Sequence, residues 1–199
     1  MMFLLGLTGV FVFAISGALA AVSRQMDILG MLVLAIVTAV GGGTLRSILI
    51  GDFPIAFFQD ELYLIACIFA TMLVFFCHRA IKQFKKPIIF FDAIGLGIFM
   101  ALGISTALQK GLEPWACLIL GVITASFGGV LRDVLSARVP LIFRSEFYAS
   151  ACLLGGAVYF LLGQLGVREE HLLISTTLSV TTIRMLGVHY SWKLPKAPL

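Results

Sequence analysis

The residues of this chain whose types and spacing suggest chemistry come in two copies. Gly41-Gly42-Gly43 is followed by Arg46 and Ser47, and Gly128-Gly129 by Arg132 and Asp133, each set within an apolar stretch. On a helix the arginine shares a face with the last two glycines, and its side chain points back toward them. Three adjacent glycines forfeit roughly 3 kcal/mol of helix propensity relative to alanine, at about 1 kcal/mol each. Two uses offset such a loss: close approach of another helix through a surface without side chains, or a local break that frees backbone carbonyls. Freed carbonyls at membrane depth are tolerated only where they meet protein, water or an ion. The guanidinium has three uses open to it: satisfying such carbonyls, lining a wet path, or clamping an anion. Thr38, Thr124 and Ser126 lie just before the glycines, where a hydroxyl either back-bonds to its own helix or extends a polar lining.

The elements that position these residues follow from composition. Of 199 residues, 60% are apolar and 12% charged, against about 45–50% and about 25% in an ordinary soluble domain. Mean hydropathy is +1.08. Apolar runs at 3–22, 28–50, 62–77, 88–107, 115–136, 147–166 and 171–190 predict seven membrane helices. Little chain remains for a water-soluble lobe. A nucleotide-binding domain or a nucleic-acid partner is excluded despite the net charge of +4; lipid is the expected surrounding. Ala18-Leu19-Ala20 resembles a signal cleavage site, but no basic residue precedes the apolar run, so the segment is expected to be retained.

With seven crossings, Arg24, Arg79, Lys82, Lys85, Lys86, Arg138, Arg144, Lys193 and Lys196 fall on one side, and Lys110 and Arg168 on the other. This asymmetry predicts a multi-pass protein of the inner (plasma) membrane, with the carboxyl terminus cytoplasmic and the amino terminus external. Arg46, Arg132 and Arg184 are left inside spans or at their ends, where a charge is costly and usually faces protein or a wet cavity.

An offset of 86 residues superposes the two glycine–arginine clusters and also pairs Gly9/Gly95, Phe13/Phe99, Gly17/Gly103, Thr38/Thr124 and Pro54/Pro140. Each copy holds three helices, and an odd number forces the second copy to enter from the opposite face. The expected fold is therefore an all-α integral membrane protein, an inverted 3+3 repeat plus a seventh helix, in one membrane domain over 1–199. The first repeat spans 3–77, a basic cytoplasmic linker 78–87, the second repeat 88–166, and the seventh helix with a cytoplasmic tail 167–199. Such pairs place a pathway near the midplane, between interrupted helices.

Other side chains carry less. Cys67, Cys77, Cys117 and Cys152 show no ligand spacing and are expected to be buried, inert thiols. His78, His171 and His189 lack partners at metal-ligand spacing. Asp92 fits either an amino-terminal cap facing water or a group facing the pathway. Phe57, Phe58, Trp115, Tyr148 and Trp192 are expected as interfacial anchors. No nucleophile with a nearby base and no intramembrane protease motif is present, so an enzyme and a cofactor are not expected.

On its duplicated three-helix units and the Gly-Gly-x-x-Arg of each second helix, the whole chain resembles the prokaryotic trimeric intracellular cation (TRIC) channels. The resemblance implies a homotrimer with a pore in each subunit, permeable to potassium and other monovalent cations, and kinked at the glycines of the second and fifth helices. The positions carried over are Gly41, Gly42, Gly43 and Arg46, then Gly128, Gly129, Arg132 and Asp133. Phe127 replaces the first glycine of the second cluster, and Ser47 stands where that cluster has its acid.

The leading expectation is thus a passive channel with modest selectivity. Hydroxyls and carbonyls near Gly41, Gly42, Gly43, Gly128 and Gly129 would replace part of the hydration shell of potassium or sodium. The alternative is a secondary transporter of a small solute such as glycine or another amino acid, in which an arginine grips a carboxylate. A third reading makes the glycines packing grooves alone.

Overall fold

The computed structural model describes residues 1–81, 86–144 and 147–195, without the side chains of residues 79 and 81. The expected basic positions Lys82, Lys85 and Lys196 lie outside the described residues, as does the side chain of Arg79. The described chain is all-helical: α1 (Met2–Val22), α2 (Ile28–Ile50), a single turn α3 (Ala56–Gln59), α4 (Leu62–Ile81), α5 (Pro87–Gln109), α6 (Pro114–Leu135), α7 (Ala149–Gln164) and α8 (Glu169–His189), with a 3-10 turn at Leu141–Phe143.

Local chemistry sets the helix boundaries. Asp27 caps α2 by accepting from the Gly30 amide at 2.7 Å. Pro87 and Pro114 begin α5 and α6, where a missing N–H costs nothing. Gly51 ends α2 at φ +65°, a left-handed conformation that glycine adopts without strain; Ala137 takes up the matching position after α6 at φ +50°.

α1, α2, α5, α6 and α8 are long and apolar enough to cross a bilayer. Of the other two expected spans, α4 has 20 residues and α7 has 16; at 1.5 Å per residue α7 falls short of a hydrocarbon core about 30 Å thick.

α5 lies at the centre, packed against α1, α6 and α8. The contacts repeat at the 86-residue offset. Gly17 of α1 lies against Leu34, Ala35 and Thr38 of α2, and Gly103 of α5 lies against Gly121 and Thr124 of α6. Other pairs exchange partners. Gly42 faces the Thr124 carbonyl while Gly128 faces the Thr38 carbonyl; Gly9 faces Phe99 while Gly95 faces Phe13. A two-fold relation produces this reciprocity, in which residue i touches j and the equivalent of j touches the equivalent of i. The rings of Phe13 and Phe99 meet across it, with centroids 5.1 Å apart.

The two ends of the bundle differ in charge. At one end Arg24 donates to the Ala137 carbonyl at 2.9 Å and Arg138 to Ser23 Oγ at 2.6 Å, while Lys86, Arg144 and Lys193 line a common cavity. Burial and the neighbouring Arg24 charge push the Arg138 guanidinium below its ordinary pKa. At the other end Lys110 pairs with Asp52 at 2.6 Å, and Glu169 accepts from Ser105 at 2.5 Å.

Candidate functional site

α2 and α6 run through their glycines as unbroken helices. Of the two uses left open by the sequence, close approach is the one seen at Gly42 and Gly128: a Cβ on either would collide with a carbonyl oxygen of the facing helix. The expectation of interrupted helices is corrected accordingly. The propensity lost is offset by backbone-to-backbone packing, which side chains would prevent. Gly41 packs against Leu131. Thr38, Thr124 and Ser126 back-bond to Leu34, Leu120 and Val122 at 2.6, 2.7 and 2.7 Å.

The two arginines sit in opposite settings. Arg132 is fully buried. Its Nη1 donates to Asp92 Oδ1 at 2.6 Å and to Ser16 Oγ at 2.7 Å, and its Nε donates to Asp133 Oδ1 at 2.9 Å. Asp133 Oδ2 in turn accepts from the Leu141 amide at 3.1 Å. Desolvating three charges is tolerable here because each is paired. Asp92 lies inside α5, whose cap position is Lys86, so the capping role is excluded. Gly129 makes room for this cluster: its Cβ position lies 3.0 Å from Tyr148 Oη and 3.2 Å from Asp92 Oδ1. Two buried atoms, Asp92 Oδ2 and Arg132 Nη2, have no hydrogen-bond partner among the described residues, which leaves the network incompletely satisfied.

Arg46 is partly exposed and faces a cavity of about 270 Å³ lined also by Gly6, Gly43, Thr44, Ser47, Tyr63 and Thr106. A Cβ at Gly43 would meet nothing within 4 Å. The reason for the contrast is local. At the 86-residue offset Asp92 corresponds to Gly6 and Asp133 to Ser47, so the first copy lacks both acids.

The structure therefore joins Arg132, Asp133 and Gly129 in one closed cluster, and Arg46, Ser47 and Gly43 in one open cavity; Gly41, Gly42 and Gly128 pack α2 against α6, the Thr38 and Thr124 hydroxyls lie against Gly17 and Gly103, and the Ser126 hydroxyl bonds only within its own helix among the described residues. Sequence reasoning missed Ser16, Tyr63 and Tyr148. Tyr148, expected as an interfacial anchor, is buried, with Arg184 Cζ 5.0 Å from its ring centroid. Cys77, expected buried, is exposed, whereas Cys67, Cys117 and Cys152 are buried.

Comparison with known proteins adds an independent line. A family model described as Glycine transporter matches residues 3–79 and 89–164. A UPF0126 membrane protein of Vibrio cholerae is 36% identical over 199 residues, covering 98% of this chain and 82% of the relative. The UPF0126 inner membrane protein YadS of Escherichia coli is 39% identical over 158 residues, covering 78% of this chain and 75% of the relative. Among solved structures, one described as "Structural basis for conductance through TRIC cation channels" has a TM-score of 0.87 at 39% identity, over 98% of this chain and 97% of that one. The TRIC trimeric intracellular cation channel orthologue from Rhodobacter sphaeroides has a TM-score of 0.88 at 36% identity, over 96% and 98%. The repeated glycine–arginine helices, the all-helical fold and these likenesses agree, and the chain belongs to the family of prokaryotic TRIC channels and UPF0126 membrane proteins.

Proposed function

We propose that this protein is a passive monovalent cation channel, potassium-permeable and not an enzyme, assembled as a homotrimer with a pathway inside each subunit. The observation that carries this reading is the asymmetry of the two arginine sites: an open cavity at Arg46 and a closed ion cluster at Arg132, on either side of the reciprocal α2–α6 contact. The pathway enters at the Arg46 cavity, passes the Phe13–Phe99 pair and ends at the Arg132 cluster, which acts as the gate in its closed position. Thr44, Ser47 and Thr106 offer oxygens to an entering ion, while Arg46 limits cation residence there; selectivity among monovalent cations is accordingly modest.

The reciprocal contacts support reading 3–77 and 88–166 as inverted repeats. The crowding of Arg24, Lys86, Arg138, Arg144 and Lys193 at one end supports a cytoplasmic carboxyl terminus and an external amino terminus. Relatives described as TRIC cation channels support the permeant class. Purified protein in planar bilayers should pass unitary potassium current; absence of current together with saturable counterflow of a labelled amino acid would instead establish a carrier.

A further inference from the structure

We propose that the Arg46 cavity is a binding site for a small monocarboxylate, an ion of acetate or formate size. The inference does not depend on whether the cavity conducts. It starts from the comparison of the two half-sites. In the second, the guanidinium is neutralised by carboxylates on Asp92 and Asp133. In the first, the corresponding positions are Gly6 and Ser47, and both line the cavity beside Arg46. The space left by the missing carboxylates is therefore where a free one fits.

The surroundings favour that ligand. Arg46 Nε is buried and has no hydrogen-bond partner among the described residues. Asp52, the acid whose charge reaches Arg46, is held by Lys110 at 2.6 Å, and no acid lines the described cavity. A planar fork of donors matches a carboxylate in two parallel hydrogen bonds, as it does not match a spherical halide. Tyr63 Oη and the Thr44 and Thr106 hydroxyls supply further polar contacts, and the apolar walls at Phe3 and Phe57 suit a methyl group. A volume of about 270 Å³ accommodates such an ion with water to spare. Because the ligand has so few atoms, its affinity is expected in the millimolar range.

The test uses the purified full chain in maltoside micelles and carbon-13-labelled acetate, read by saturable line broadening, with chloride as competitor at constant sodium. Wild type should broaden the acetate signal saturably, and equimolar chloride should not displace it. Arg46→Gln should weaken binding about tenfold or more. Gly6→Asp is the more telling variant, since it installs the acid found in the second half-site. Its Cβ would stand 3.3 Å from Tyr63 Oη and 3.9 Å from Leu102 Cδ1, so the side chain fits with little adjustment. Gly6→Asp and Ser47→Asp should each abolish acetate binding while eluting as wild type on size exclusion, and they keep the test decisive if Arg46→Gln does not fold. No saturable broadening in wild type, full binding in the folded variants, or displacement by equimolar chloride would each overturn the assignment.

Discussion

Substituting Asp92→Asn removes one charge from the closed cluster while preserving its shape. Arg132 Nη1 keeps an oxygen where Asp92 Oδ1 now accepts at 2.6 Å and keeps Ser16 Oγ, while Arg132 Nε keeps Asp133 Oδ1. What is lost is the acceptor's charge in a hydrogen bond whose donor stays charged, about 1–2 kcal/mol. If the Asp92–Arg132 pair exists only while the gate is closed, that loss falls entirely on the closed state, and the open-to-closed ratio rises about 5–30-fold. The assay is open probability in single-channel recordings, with thermal unfolding of the same preparation as control. Asp52→Asn, which breaks the exposed pair with Lys110, is worth no more than about 1 kcal/mol and should leave open probability near wild type. An Asp92→Asn protein of near-native stability with unaltered open probability would refute the assignment of Arg132 and Asp92 as a gate.

Three further outcomes are expected. Gly42→Ala drives a methyl group into the Thr124 carbonyl and should destabilise the fold by about 1–3 kcal/mol, whereas Gly43→Ala enters open space and should not; unfolding in detergent separates them. Gly155 is unsuitable as a control, because a Cβ there would collide with the Val180 side chain. Tyr148→Leu removes the ring beneath Arg184 and should cost about 0.5–2 kcal/mol through the lost cation–π contact, more than Tyr148→Phe loses from that contact, again read by unfolding. An impermeant maleimide should label exposed Cys77 from the cytoplasmic face only, and the buried Cys67, Cys117 and Cys152 only after unfolding, as counted by mass spectrometry; labelling of Cys77 from outside would reverse the proposed orientation.

The helices and the duplication were legible because bilayer-length apolar runs and a fixed offset leave a direct trace in sequence. The spans read at 28–50 and 88–107 differ from α2 and α5 by no more than two residues at either end. The use of the glycines was not legible, since a break and a close approach demand the same residue; only the facing carbonyls of Thr38 and Thr124 decide it. Asp92 pairs with Arg132 across 40 positions and Ser16 across 116, distances at which no local pattern survives. Tyr148 read as an anchor because an aromatic at a span end usually is one, but α8 brings Arg184 over it. The departure of Ser47 from Asp133 was visible as an inequivalence, and the structure turns it into an open site facing a closed one.

The most direct measurement is unitary cation current through Gly43→Cys before and after modification by a positively charged thiol reagent added from the external side. Gly43 lines the Arg46 cavity and its Cβ position is free of contacts, so the substitution is tolerated and the reagent lies in the proposed path. The expected result is a stepwise fall in conductance that reducing agent reverses. Complete labelling of Gly43→Cys, verified by mass, with current unchanged would place the ion pathway elsewhere.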